Sequence, residues 1–210
     1  MSSDRATRIA AVIRIPPHRG GWLEVICGPM FSGKSEEMIR RLRRAEIAGQ
    51  RVVIFKPQID DRYDATDIVS HAGARMQAVP IVSVSEIEAH AEGYEVVGID
   101  EAQFLGEGVV ATALGLADRG VRVVVAGLDQ DFRRLPFGPM PKLLTHAEFV
   151  DKLQAVCHRC GGPATTTQRL VDGLPAPYSG DTVVVGAAEQ YEARCRVCHE
   201  AGVGAALVAA

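Results

Sequence analysis

No apolar run in these 210 residues approaches the roughly 18 to 20 that would span a bilayer. The alanine-rich end from Ala201 to Ala210 is too short to do so. Nor is there a sustained apolar core near the start: Met1 to Gly20 shows no clear period, carries Asp4 and ends in the breakers Pro16, Pro17, Gly20 and Gly21, so it reads as a flexible extension rather than a secretory leader. A basic excess is missing as well. The formal net charge of -3 counts against a protein whose main task is to coat nucleic acid. Internal repeats are absent, and the tail is the one compositionally biased tract. A disulfide framework is equally unexpected, because the five cysteines are an odd number and a chain this long hides roughly 70% of its unfolded surface without staples. A reducing, cytoplasmic compartment follows as the expectation.

What is present is a sequence of short apolar runs separated by helical stretches. Strands are expected at Trp22 to Cys27, Arg51 to Phe55, Gln77 to Val82, Glu95 to Ile99 and Val121 to Ala126, and helices at Lys34 to Ala48, Val84 to Ala91 and Glu107 to Asp118. Runs such as Val123-Val124-Val125 lack polar alternation, as expected of a parallel sheet covered on both faces. In the third helix Val109, Val110, Ala113, Leu114 and Ala117 recur at three- and four-residue spacing, which is a core stripe. The fold class is therefore α/β, doubly wound, up to about residue 150; with the phosphate loop of residues 28–35, the expectation is a RecA-like P-loop parallel sheet. After Ala155 the alternation gives way to glycine, proline, paired cysteines and short β-branched runs at Thr165 to Thr167 and Thr182 to Val185, which mark a smaller C-terminal unit. The division is residues 1–20 extension, 21–150 nucleotide-binding domain, 151–200 zinc-binding domain and 201–210 tail.

The first strand runs into Gly28-Pro29-Met30-Phe31-Ser32-Gly33-Lys34-Ser35, which fills every fixed position of G-x-x-x-x-G-K-[ST]. Backbone N–H groups of such a loop wrap a phosphate at the positive end of a helix dipole. Lys34 would reach the β- and γ-phosphates of ATP, and the Ser35 hydroxyl would hold Mg²⁺. The apolar strand Val96 to Ile99 ends abruptly in Asp100-Glu101, at the sheet edge where ligands of open α/β folds bind. Asp100 suits Mg²⁺ and Glu101 suits a general base toward a hydroxyl or a water.

Cys157-x-x-Cys160 and Cys195-x-x-Cys198 supply four thiolates, enough to close a tetrahedral Zn²⁺ shell and leave no position for water. Structural zinc is the expectation, with His199 an alternative fourth ligand to Cys198 and His158 a weaker one. The 34 residues between Cys160 and Cys195 exceed the spacing of a compact zinc ribbon, so a loop must project from the knuckle. Cys27 reads as a small buried hydrophobe. Arg40, Arg41, Arg43 and Arg44 read as the solvated face of the first helix.

Taken in order, GPMFSGKS (28–35), DDRY (60–63), DEAQF (100–104), GLDQDFRRLPFG (127–138) and VGAAEQYEARCRVC (185–198) resemble the cytosolic-type (type II) thymidine kinase family, nearest its bacterial members, over roughly residues 21 to 200. The resemblance implies transfer of the ATP γ-phosphate to the 5′-hydroxyl of thymidine, and of deoxyuridine, for nucleotide salvage and DNA synthesis. It implies Glu101 as the base, Arg62 at the phosphate-acceptor end with Asp60 nearby, and a homotetramer. It also implies a "lasso" over the pyrimidine, anchored by the zinc knuckle, with Met30, Phe104, Leu128, Phe132, Phe137, Thr167, Val184, Gly186 and Tyr191 around the base. The competing expectation is a zinc-ribbon P-loop ATPase acting on nucleic acid, which the arginine cluster would favour and the mild acidity opposes.

Overall fold

A computed structural model describes residues 20–58, 67–69, 75–179 and 189–202. The elements, in chain order, are β1 (Trp22–Cys27), α1 (Lys34–Ile47), β2 (Val52–Pro57), β3 (Asp67–Val69), β4 (Arg75–Gln77), β5 (Val79–Ile81), α2 (Ser85–His90) and β6 (Val96–Ile99). A 3₁₀ turn (Ala102–Phe104), α3 (Gly108–Asp118), β7 (Arg122–Gly127), α4 (Met140–His146) and β8 (Phe149–Lys152) follow. The chain then passes through β9 (Ala155–Val156), β10 (Pro163–Ala164), β11 (Thr166–Val171), β12 (Leu174–Pro175) and β13 (Glu189–Arg194).

The expected parallel sheet has six strands in the order β5-β2-β6-β7-β1-β8, every neighbouring pair parallel. Because successive strand residues point to opposite faces, each apolar run feeds two cores. Leu23, Val25, Val97, Ile99, Val123 and Val125 pack with Val109, Ala113 and Leu116 of α3 on one side. Ile26, Ile54, Val96, Val124 and Ala126 pack with Met38, Ile39, Leu42 and Ala45 of α1 on the other. The remaining sheets are small and antiparallel: β3-β4, β9-β10, and β12-β11-β13. Among the described residues no helix is long and apolar enough to cross a membrane.

Three sequence expectations need correction. The single strand at Gln77 to Val82 is two, with buried Ala78 separating the end of the β3-β4 hairpin from the sheet-edge strand β5. The sixth sheet strand, β8, was not expected; it pairs with β1 and carries the main sheet to Lys152, into the segment assigned to the smaller unit. Arg41 does not lie on a solvated face. Its side chain is 6% exposed and forms ion pairs with Glu24 (2.7 Å), Glu37 (2.8 Å) and Asp151. Arg41 falls three residues after Met38 and four before Ala45, inside the buried stripe of α1, and Glu24 on β1 waits there to receive it. Arg40 is exposed as expected and pairs with Glu37. Residues 1–19, the Thr182 to Val185 run and the tail from 203 lie outside the described residues.

Candidate active site

Parallel register sets the site. Cys27 pairs with Gly127, and Ile99 with Val125, so β1, β7 and β6 end side by side. The phosphate loop after β1, Leu128-Asp129 after β7 and Asp100-Glu101 after β6 therefore leave from one carboxyl edge.

Gly28 opens the loop at φ +142°, and a Cβ there would stand 2.5 Å from the Leu153 carbonyl oxygen, so the position demands glycine. Gly33, at φ +83°, turns the chain into α1. Glu36 and Glu37 occupy the first turn of that helix, where the dipole favours negative charge. Pro29 is buried, Met30 is half-buried and Phe31 is 47% exposed. The Pro29 carbonyl oxygen accepts hydrogen bonds from Lys34 Nζ and Ser32 Oγ, each at 2.8 Å. Lys34 is thus folded onto its own loop. Burial pushes its ammonium pKa down, and the carboxylates of Glu101, Asp100 and Asp129 oppose that shift. Ser35 sits half-buried in the first turn of α1.

Asp100 is buried, and burial first, then the Glu101 charge, push its carboxyl up to about 7 against the pull of the Glu101 backbone N–H, Lys34 and Lys56. A carboxylate and a hydroxyl are hard oxygen donors of the kind Mg²⁺ takes, so Asp100 and Ser35 fit that ion by donor chemistry. Glu101 is half-buried and takes the left-handed conformation, φ 51° and ψ 38°, which is uncommon for a residue with a side chain. Such strain gathers at functional sites. Its Oε2 accepts a hydrogen bond from Gln103 Nε2.

Around the same edge, Phe104 and Phe137 meet edge to face with ring centroids 5.4 Å apart. Leu128 and Tyr191 are half-buried. Thr167 is buried on β11, and its Oγ1 accepts the Met30 backbone N–H at 3.0 Å, which fastens the phosphate loop to the C-terminal hairpin. Thr167 and Arg169 alternate onto one face of β11, and Tyr191 is the direct partner of Arg169 on β13. Phe132 is buried, with the Arg169 guanidinium 5.1 Å and the Arg133 guanidinium 5.6 Å from its ring centre. The structure thus brings the phosphate-loop residues, Asp100, Glu101, Phe104 and Leu128 to one sheet edge, and ties Met30 to Thr167 across it. Asp60, Arg62, Val184 and Gly186 lie outside the described residues.

The four cysteine sulfurs of Cys157, Cys160, Cys195 and Cys198 lie within 4.8 Å of one another. Cys160 Sγ and Cys195 Sγ are 3.8 Å apart, matching the ~3.8 Å edge of a tetrahedron with Zn–S bonds near 2.3 Å. The Cys198 backbone N–H donates to Cys195 Sγ at 3.4 Å, as a metal-binding C-x-x-C turn requires. These residues fit zinc. Their surrounding core is small, Ala155, Ala164 and Ala193 with the cysteines themselves. His199 turns away from the cluster and donates from Nε2 to the Phe132 carbonyl at 2.9 Å. His158 is exposed and lies 3.5 Å from Glu192, so neither histidine displaces Cys198.

Sequence reasoning missed three residues here. Buried Gln103 contacts Glu101, buried Asp129 pairs with Lys152 at 2.6 Å, and buried Asp131 accepts the backbone N–H groups of Arg133 (2.8 Å) and Leu135 (3.0 Å), shaping the turn that presents Phe132. Asp131 could have been found, since an aspartate accepting N–H groups two and four residues on is a local turn signal. Gln103 also accepts the Leu128 backbone N–H, 25 residues away, and Asp129 pairs with Lys152; such distant partners left no local trace. A family model described as thymidine kinase matches residues 21–199, most of the chain and all of this site. With the phosphate loop, the acidic pair and the cysteine cluster in this arrangement, the chain belongs to the thymidine kinase family.

Proposed function

We propose that this chain transfers the γ-phosphoryl group of ATP to the 5′-hydroxyl of thymidine, and of deoxyuridine, in nucleotide salvage. The observation that carries the reading is the convergence, on one sheet edge, of a phosphate loop, an acidic pair of buried Asp100 and half-buried Glu101, and a half-buried aromatic pair. Backbone N–H groups of residues 31–35 bind the ATP phosphates, since Pro29 has none and the Met30 N–H is held by Thr167, and Lys34 exchanges the Pro29 carbonyl for a phosphate oxygen. Asp100 and Ser35 would hold Mg²⁺, which supplies charge neutralisation between the phosphates. Glu101 accepts the 5′-hydroxyl proton as that oxygen attacks phosphorus and the bond to ADP breaks, and Arg62 steadies the charge on the transferring group.

The nucleoside lies between the sheet edge and the C-terminal unit. Met30, Phe104, Leu128, Phe132, Phe137 and Tyr191 supply apolar and aromatic surface, Thr167 and the backbone of Val184 and Gly186 supply hydrogen bonds to the base edge, and Asp60 contributes near Arg62. Zinc on Cys157, Cys160, Cys195 and Cys198 is structural. Residues 21–150 serve as the nucleotide-binding domain and 151–200 as the zinc-anchored lasso, in a cytoplasmic homotetramer, all of which the family membership supports.

Purified protein given ATP, Mg²⁺ and thymidine should produce thymidine monophosphate, with ADP released in equal amount. Absence of that product, together with ATP hydrolysis stimulated by DNA, would replace this reading with a nucleic-acid motor.

A further inference from the structure

We infer that Gln103 is a positioning residue that aims Glu101 and links that aim to the nucleoside pocket; the inference rests on the base role of Glu101 proposed above. Gln103 is 3% exposed, in the middle of the 3₁₀ turn. Its Oε1 accepts the Leu128 backbone N–H at 3.0 Å. A backbone N–H can only donate, so the side-chain amide has one possible orientation, with its NH₂ group directed at Glu101 Oε2. Among the described residues that amide is the hydrogen-bond partner of the Glu101 carboxylate.

Glycine backbone approaches Gln103 closely on both sides. A Cβ on Gly127 would stand 2.7 Å from Gln103 Oε1, and one on Gly138 would stand 2.5 Å from the Gln103 backbone carbonyl oxygen. The two ends of the 127–138 segment thus close on Gln103, and the Phe104–Phe137 contact ties the same segments together next door.

The consequence is chemical. A carboxylate with one oxygen engaged by a fixed donor has its plane set and its other oxygen available to a substrate hydroxyl. General-base catalysis depends on such aim, and small misplacements of a reacting group are costly in rate. Leu128 belongs to the proposed nucleoside pocket, so filling that pocket and orienting the base are joined through a single amide. The left-handed backbone of Glu101 makes an independent aim less secure, because the turn itself is a higher-energy conformation.

The experiment is a double-mutant cycle on the full chain with ATP, Mg²⁺ and thymidine. Gln103→Met, similar in length but without the amide, should lower kcat by about 10- to 50-fold while thymidine KM stays within about threefold. In the Glu101→Gln background the same change should lower kcat by less than about threefold, since the group being aimed is gone. Gln103→Asn, a shorter amide that spans one partner but not both, should reproduce the loss and stands in if the methionine variant does not fold. Thymidine affinity by calorimetry should be held within about threefold in both. Unchanged kcat in folded Gln103→Met or Gln103→Asn, or an equal loss in both backgrounds, overturns the positioning role. Undiminished turnover of Glu101→Gln by itself instead removes the base role, and the inference with it.

Discussion

Replacing Arg41 with methionine should destabilise the protein by about 3 kcal/mol, at the low end of what breaking a buried ion pair costs. The figure follows from who is left behind. Arg41 and Glu24 side chains are each 6% exposed, whereas Glu37 and Asp151 are 22% and 27% exposed and can turn to water. Glu24 keeps two donors after the change, Arg122 Nε at 2.6 Å and Trp22 Nε1 at 2.7 Å, so its charge is not abandoned. Methionine fills part of the space on the α1 stripe, limiting the cavity. A loss of ~3 kcal/mol in a chain of this size lowers Tm by roughly 6 to 12 °C. Urea unfolding followed by far-UV circular dichroism measures it, with Arg40→Met as the control: that residue is 55% exposed, and its pair with Glu37 is worth less than about 1 kcal/mol. Equal effects below about 1 kcal/mol for both variants would refute the buried network and return Arg41 to the surface.

Glu24 also carries an acid-stability signature. Burial raises its pKa, but Arg122 by hydrogen bond and charge, with Trp22 and Arg41, outweighs burial and holds the carboxyl below its ordinary value. Its stabilisation is therefore full above the unfolded-state pKa of about 4.3 and lost as pH falls through the lower folded value, so Glu24→Gln should flatten the fall in unfolding free energy below that pH; an unchanged slope would count against it. Cys157→Ser should release zinc, measured with a chromogenic chelator, and raise thymidine KM by at least about tenfold with the far-UV spectrum largely kept, because the parallel sheet has its own two cores. Global loss of helix signal would show that the metal holds the whole fold. Glu101→Gln should reduce kcat at least about 100-fold with thymidine affinity retained, and an affinity loss of similar size would make Glu101 a binding group instead.

The parts of the fold written in local signals were legible. β1, the phosphate loop and α1 share one stretch whose glycines, lysine and amphipathic helix each announce themselves within a few residues. The same holds for the apolar strand ending in Asp100-Glu101 and for the two C-x-x-C turns. What escaped depends on partners far away. Arg41 sits on the apolar stripe of α1, but an arginine there reads as solvated until Glu24 on β1 and Asp151 on β8 are seen beside it. β8 escaped for the matching reason: Phe149-Val150-Asp151-Lys152 is short and half charged, with no alternation to mark a strand, and its Asp151 faces Arg41 while Lys152 faces Asp129. Ala78 broke a run that sequence periodicity joined. Gln103 looks like any polar turn residue until the Leu128 N–H fixes its amide.

The central claim, that this site phosphorylates a pyrimidine deoxynucleoside, is tested most directly by measuring kcat/KM with ATP and Mg²⁺ over a nucleoside panel. Thymidine and deoxyuridine should be phosphorylated, while deoxyadenosine and deoxyguanosine, whose bases are larger, should fall at least about 100-fold below thymidine. Equal use of purine and pyrimidine nucleosides, or turnover of ATP with none of them, would contradict the account.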